Sequence, residues 1–190
     1  QMVSKGLDFD RVSVVGILNA DSMLNYPDFR SYERAFQLMA QVAGRAGRRN
    51  KQGLVVLQTK SPDLPLIHQV MANDYFRMFS EQLEERELFK YPPFYRLVYV
   101  YLKHWKEDVL DQAAELMASC LRKGLGERVL GPDKPPVSRI QTLFIKKIVV
   151  KIELDASLVK VRAYLQQVQR FLTEDERFRS LLVYYDVDPM

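Results

Sequence analysis

Short apolar runs separated by polar loops make up the first third of the chain. The runs over 12–18 and 53–59 predict two buried strands, and the apolar spacing after Arg30 predicts a helix between them that stops near Gly44 or Gly47. A strand–helix–strand order of this length is typical of the end of a parallel α/β domain. If no further strands flank these two, we expect their edges to be exposed.

Residues 66–90 are rich in charged side chains and have the spacing of a helix. The turn at 61–65 is expected to open a helix, and the Tyr-Pro-Pro-Phe run at 91–94 ends this region. We interpret this region as a connector between two domains. The predicted division is 1–68, 69–93 and 94–190.

Strand-like and helix-like periods alternate regularly beyond residue 94. In the first strand, alternation puts Val98, Val100 and Leu102 on one face and Tyr99 and Tyr101 on the other. The order β-α-β-β-α-β is typical of a ferredoxin-like sandwich. The predicted strands are 95–104, 128–130 (closed by Gly131-Pro132), 139–153 and 181–187, and the predicted helices are 107–123 and 156–172.

Composition indicates a water-soluble globular protein with a mild preference for polyanions. Hydrophobic residues make up 47% and charged residues 27% of the chain, and the net charge is +4. The single cysteine, Cys120, excludes an internal disulfide and a cysteine-based zinc cluster. No apolar run is long enough for a membrane span, and Asp186 and Asp188 share a predicted strand face without a third ligand. We therefore predict no membrane association and no metal site.

Basic residues concentrate between 139 and 170, a segment that contains seven lysines and arginines and two acidic residues. Lys147 and Lys151 alternate onto one face of the predicted strand, so phosphate contacts are expected there, with Tyr99 and Tyr101 as stacking surfaces. The alternative is a solvated strand face whose lysines guard an edge. The candidate DNA-binding residues of this segment are Arg139, Lys146, Lys147 and Lys151.

The run from Gln41 to Arg48 contains Gly-Arg-Ala-Gly-Arg at a predicted helix end. Arg45 and Arg48 are three residues apart, which puts both guanidiniums on one side of a helix. Such a pair suits a γ-phosphate, because the planar fork of arginine donors matches its oxygens. The alternative is a helix C-terminus with basic side chains near its dipole and a glycine cap.

Two separated segments carry a resemblance to a known family. Residues 1–9 and 41–48 resemble motifs V and VI of superfamily 2 helicases. The intervening segments 14–21 and 27–38 look like those of the primosomal protein N′ (PriA) family of replication-restart DNA helicases. Further segments that resemble the family's C-terminal domain are 91–94, 131–132, 139–140 and 186–189.

The resemblance implies that ATP and Mg²⁺ bind between two RecA-like lobes of the parent enzyme. Gln41, Arg45 and Arg48 would face the γ-phosphate as catalytic residues, while Gly6 and Asp8 would lie on the nucleotide side. Lys5 would lie nearer the DNA. The chain contains no Gly-x-x-x-x-Gly-Lys-Ser/Thr phosphate loop. We therefore expect it to begin inside the second lobe, to lack the family's zinc-binding insertion, to bind no cofactor itself and to be inactive alone.

The same resemblance implies an ATP-dependent 3′→5′ helicase that recognises stalled or branched replication forks and starts primosome assembly. Its C-terminal domain is described in the family as similar to a ribosomal protein and as binding branched DNA. The implied partners are forked and single-stranded DNA, single-stranded-DNA-binding protein and primosome proteins, in the bacterial cytoplasm and nucleoid. The alternative function is a non-catalytic module that binds nucleic acid or a partner protein through the ferredoxin-like part.

Overall fold

A computed structural model describes residues 13–44, 46 and 53–189 and divides the chain into two compact units, 1–85 and 86–190. The division falls inside the segment that we interpret as a connector. Five of the residues predicted to bind nucleotide or DNA lie outside the described ranges: Lys5, Gly6, Asp8, Arg45 and Arg48.

The first unit contains a parallel pair of strands joined through helices. Val14 pairs with Leu54, and the register continues to Ile17 and Leu57. This arrangement confirms the predicted strand–helix–strand order with parallel strands. The elements are β1 (Val14–Ile17), α1 (Asp21–Leu24), α2 (Ser31–Ala43), β2 (Leu54–Leu57), α3 (Pro65–Ala72) and α4 (Tyr75–Leu88), the last of which continues past the division.

The two predicted strands are present, but they are less buried than the prediction of buried strands implies. Val15 and Ile17 are buried, but Val14, Leu54 and Val56 are at least half exposed. The reason is that the core of this unit lies on one side of the strand pair, where Ile17 of β1 joins buried residues of α1, α2 and α3 in one cluster and β1 contacts α2. Among the described residues, β1 and β2 pair with each other alone, so the expected exposed edges are present.

The helix predicted over 66–90 is two helices. Asn73 has a left-handed backbone (φ 52°) and ends α3. The Asp74 side chain then accepts a hydrogen bond of 3.1 Å from the backbone N–H of Arg77 and caps the first turn of α4. The signal available in the sequence was the Asn73-Asp74 pair, whose residue types favour a left-handed backbone and a helix cap. The opening of a helix after the turn at 61–65 is confirmed, with Pro65 as its first residue.

The second unit is a mixed α/β fold with an antiparallel sheet. Its main strands lie in the order β4–β6–β3–β7, and β5 forms a hairpin with β6. The succession of main strands and helices is the predicted one. The elements are β3 (Tyr95–His104), α5 (Glu107–Leu125), β4 (Val129–Asp133), β5 (Arg139–Ile140), β6 (Leu143–Glu153), α6 (Leu158–Glu174) and β7 (Leu182–Val187).

Two strands of this unit differ in extent from the prediction. The segment 139–153 turns back on itself at Gln141 (φ 53°), which separates β5 from β6. β4 does not stop at Gly131 but passes through it to Asp133, with a register shift. Gly131 makes this possible because its φ is +90°, and a Cβ there would lie 3.0 Å from the carbonyl oxygen of Lys147.

Helices α5 and α6 pack on one face of the antiparallel sheet, and this packing fixes which side chains point away. Val100, Leu102, Ile148 and Val150 are fully buried against the helices in one core. Side chains of odd-numbered residues in β3 and β6 therefore point to the opposite, outer face. In the part of the chain that the structure describes, no helix has the length and apolarity to cross a membrane.

Candidate nucleic-acid interface

Five side chains form a continuous cluster on the outer face of the antiparallel sheet, which we call the aromatic–lysine face: Tyr99, Tyr101, Lys103, Lys147 and Tyr184. Antiparallel pairing assembles them from three strands, because Tyr101 lies directly opposite both Lys147 in β6 and Tyr184 in β7. Tyr184 is 40% exposed and the other four are half-buried, so the cluster is open to a ligand.

The rings of the aromatic–lysine face are already ordered as a stack. Tyr101 and Tyr184 lie nearly parallel, with centroids 4.9 Å apart and planes 14° apart, while Tyr99 meets the edge of Tyr101 at 6.2 Å. The Lys103 Nζ is 4.7 Å from the centroid of Tyr184, and the Lys147 Nζ is 4.5 Å from that of Tyr99. The ammonium groups thus lie beside flat apolar rings, as a base and its phosphate require.

Carboxylates balance part of this positive charge. Asp133 lies opposite Lys147 in β4, and Asp186 lies opposite Tyr99 in β7. Two acids next to two lysines leave little net charge, so the surface does not attract polyanions strongly by electrostatics alone. Stacking on the tyrosine rings, worth about 1–3 kcal/mol per base, is the larger source of affinity that this surface offers.

The structure separates the four candidate DNA-binding residues of the basic segment. Lys147 lies on the outer face, whereas its neighbour Lys146 points toward the helices. The Lys146 Nζ lies 3.0 Å from Asp111 Oδ1 of α5, and its side chain is 16% exposed. The Arg139 guanidinium lies 4.8 Å from the ring centroid of Phe144 and donates a hydrogen bond to the carbonyl of Gln141. These two residues are therefore already engaged within the fold.

Lys151 lies on the outer face, two residues beyond Val149 along the strand from Lys147. Its Nζ donates a 2.6 Å hydrogen bond to the carbonyl of Phe89 and lies 3.7 Å from the ring centroid of Tyr91. Burial by these groups lowers the pKa of Lys151 below its usual value, and the nearby positive charge of Lys90 lowers it further.

Sequence reasoning missed Tyr184 and Lys103 as members of the interface. Both alternate onto the outer face in their own strands, which the sequence pattern shows. What brings Tyr184 onto Tyr101 is the pairing of β7 with β3, and these strands are about 80 residues apart in sequence. Aromatic residues at every second position of β3 were the available signal, and they identified Tyr99 and Tyr101.

Little of the predicted nucleotide site lies within the described residues. Gln41 is in the last turn of α2 and is exposed. Asp186 and Asp188 do not form a pair, since Asp188 lies beyond the end of β7 and accepts a 2.9 Å hydrogen bond from the Leu97 N–H. In the described ranges, no three His, Cys, Asp or Glu side chains converge as metal ligands would.

Comparisons with known proteins agree with the resemblance in the sequence. Residues 87–190 match the family model described as the primosomal protein N C-terminal domain. Over its full length, the chain is 34% identical to the replication restart protein PriA of Bacillus subtilis. The chain belongs to the PriA family.

Other PriA relatives show the same similarity in distant bacteria. The PriA protein of Treponema pallidum is 36% identical over the whole chain, and that of Chlamydia pneumoniae is 48% identical over 98 residues, or 52% of the chain. The chain spans about a quarter of the length of the relatives that match all of it, 23% of the Bacillus subtilis protein and 28% of the Treponema pallidum protein.

Proposed function

We propose that this chain is the part of a replication restart helicase that holds single-stranded and branched DNA, with the aromatic–lysine face as the contact surface. The name that its relatives share, replication restart protein, supports a role at replication forks. The β-α-β-β-α-β order and the strand order of the second unit support a ferredoxin-like fold, which presents an open sheet surface of this kind.

The stacked pair of Tyr101 and Tyr184 is the observation that carries this proposal. Two parallel rings on an exposed sheet face contribute little to a hydrophobic core, because that core lies on the other side of the sheet. They do offer a flat surface on which unpaired bases stack without regard to sequence. The flanking Lys103 and Lys147 supply one phosphate contact each.

The test compares two neighbouring tyrosines of β7 that point in opposite directions. Tyr184 belongs to the aromatic–lysine face, while the Tyr185 hydroxyl lies against α6, 2.9 Å from Gln169 Oε1. Binding is measured by fluorescence anisotropy with a labelled dT strand of about 12 nucleotides, within the range of single-domain binders. We expect Tyr184→Leu to weaken binding at least fivefold, since loss of one stacked base costs about 1–3 kcal/mol.

Tyr185→Phe is the matched control and should bind like the unaltered chain. Tyr101→Leu should weaken binding as Tyr184→Leu does, because the two rings form one platform. Equal affinity of the Tyr184→Leu variant and the Tyr185→Phe variant would contradict the proposed function. Circular dichroism of each variant shows whether the sheet is intact before binding is compared.

The helicase itself belongs to the longer parent protein in this proposal. There, Gln41, Arg45 and Arg48 would face the γ-phosphate of ATP with Mg²⁺, and Gly6 and Asp8 would line the nucleotide side of a RecA-like lobe, with Lys5 nearer the DNA. The parent would unwind DNA 3′→5′, work with single-stranded-DNA-binding protein and primosome proteins, and act in the bacterial cytoplasm. The isolated chain should hydrolyse no ATP, and turnover by a pure preparation would contradict this division of roles.

A further inference from the structure

A groove lies in the second unit where the outer sheet face meets the segment before β3. Its volume is about 590 Å³, and its walls include Leu130 of β4 and Lys151 of β6. Leu130 lies opposite Val149, so both walls belong to the outer face. The groove therefore continues the aromatic–lysine face along β6. Two β6 residues, Lys147 and Lys151, mark the two regions and are about 13 Å apart along the strand.

The groove is lined by three basic side chains, Lys90, Arg128 and Lys151, and by two acidic ones, Glu127 and Glu153. Within the described residues neither Lys90 nor Lys151 forms an ion pair, although the charge of Lys90 is close enough to lower the pKa of Glu153. Glu153 is held by Arg128, whose Nε lies 2.7 Å from Glu153 Oε2 and 3.0 Å from Oε1. This contact uses the Nε edge of the guanidinium, and the two terminal nitrogens keep their donors.

Lys90 and Lys151 both line the groove, and their positive charges repel each other. Lys151 is partly withdrawn from water by Phe89 and Tyr91, and a second cation lies close enough to lower its pKa. Lys90 has a left-handed backbone (φ 58°) in the turn that follows α4. A phosphate between the two ammonium groups would offset their repulsion and raise the pKa of Lys151.

We propose that the groove between Lys90 and Lys151 holds a backbone phosphate of the same single strand whose bases stack on the aromatic–lysine face. This inference rests on the proposed function. Continuity of the surface favours nucleic acid over an acidic protein segment, because Leu130 and Lys151 are shared by the groove and the sheet face. A single DNA strand that lies along β6 would therefore contact the stacked rings with its bases and the groove with a backbone phosphate.

The experiment uses the whole chain and dT strands of two lengths. Lys90→Asn removes one charge and keeps a residue that tolerates the left-handed backbone, and Lys151→Met removes the other while keeping an apolar stem against Tyr91. On a strand of about 12 nucleotides, the double variant should reduce the slope of log affinity against log salt by about 0.7, the change expected for one lost phosphate contact. A strand of about two nucleotides is too short to reach from the rings to Lys151, because stacked nucleotides advance about 3.4 Å each and the two regions are about 13 Å apart, so its affinity should change less than twofold.

The charge-matched control for the single variant Lys151→Met is Lys160→Met, which removes an exposed lysine from α6 on the helix side of the sheet. This variant should keep the full salt slope. A second measurement follows the ¹³Cε resonance of Lys151, assigned by its loss in Lys151→Met, through a pH titration. The midpoint should move to higher pH when dT is bound, because a phosphate favours the charged amine.

The outcomes separate this inference from the proposed function. An unchanged salt slope in the double variant, or a ¹³Cε midpoint that ignores dT, overturns the phosphate site even if Tyr101→Leu and Tyr184→Leu still abolish binding. If those tyrosine variants bind normally, the proposed function fails instead. A glutamate-rich peptide that shifts the Lys151 resonance when dT does not would also overturn the proposal and assign the groove to an acidic protein.

Discussion

Two adjacent lysines, Lys146 and Lys147, should behave differently when each is changed to alanine. Strand alternation points Lys147 to the outer face, beside the Tyr99 ring, and Lys146 to the helix side, beside Asp111. The same charge is removed at neighbouring positions, so the net charge of the two variants is identical. Any difference between them therefore reports the direction of the side chain and not the overall charge of the protein.

The expected size of each effect follows from the surroundings of each ammonium. Lys147 would lose one phosphate contact, which reduces the salt slope by about 0.7 and, near a surface, costs about 1 kcal/mol or fivefold in affinity. Lys146 would lose a partly buried ion pair with a 3.0 Å separation, worth about 1 kcal/mol of stability. A loss of that size lowers the Tm by about 4–8 °C in a unit of this length.

The assay pairs anisotropy titrations with thermal unfolding. Affinity for a dT strand is measured between about 50 and 200 mM salt, a range over which one lost contact changes the ratio of affinities about 2.5-fold. Lys147→Ala should change the slope and keep the Tm, and Lys146→Ala should lower the Tm and keep the slope. Equal slopes for the two variants would refute the assignment of Lys147 to the interface.

Three further predictions concern the fold. Burial raises the pKa of Tyr185 to about 12 from 10.0. The stability linked to this shift is therefore fully present below pH 10 and is lost as the pH rises toward 12. Tyr185→Phe should reduce this decrease of the Tm in thermal melts at alkaline pH. Gly124→Ala places a Cβ 2.5 Å from the Tyr164 ring. This substitution should lower the free energy of unfolding, measured in urea, by about 1 kcal/mol. The same substitution should have no such effect in a Tyr164→Leu variant, where the ring is absent. Hydrogen bonds from the Thr59 hydroxyl and the Lys60 N–H lower the pKa of Asp21. The ionised Asp21 therefore contributes its full stabilisation of the fold above pH 3.8, and this contribution is lost as the pH falls through the lowered pKa. Asp21→Asn should remove this dependence of the Tm on acidic pH.

Periodicity predicted most elements of the second unit because each one has a single buried face. The predicted strand over 95–104 is confirmed at both ends, and helix α5 begins at the predicted residue and extends two residues further. Errors arose where the backbone, not the hydrophobic pattern, decides the structure. The turn at Gln141 and the bulge at Gly131 each need a positive φ, and neither changes the spacing of apolar side chains.

The candidate site was predictable within a strand but not between strands. Alternation identified Tyr99, Tyr101 and Lys147 as outward-facing, and the structure places them in one cluster. Alternation equally separates Lys146 from Lys147, whereas the charge of the basic segment predicts DNA contacts for both. Tyr184 enters the cluster through the register of β7 against β3, which depends on tertiary packing.

The charge balance of the aromatic–lysine face gives the proposed interface a particular character. Because Asp133 and Asp186 offset Lys103 and Lys147, the rings contribute most of the affinity, and rings bind bases that are already unpaired. A duplex offers this surface phosphates but no accessible base faces, so we expect it to bind much more weakly than a single strand. At a branched fork, such a surface would bind the unpaired DNA strand, and the groove lined by Lys90 and Lys151 would bind the phosphate backbone of the next nucleotides.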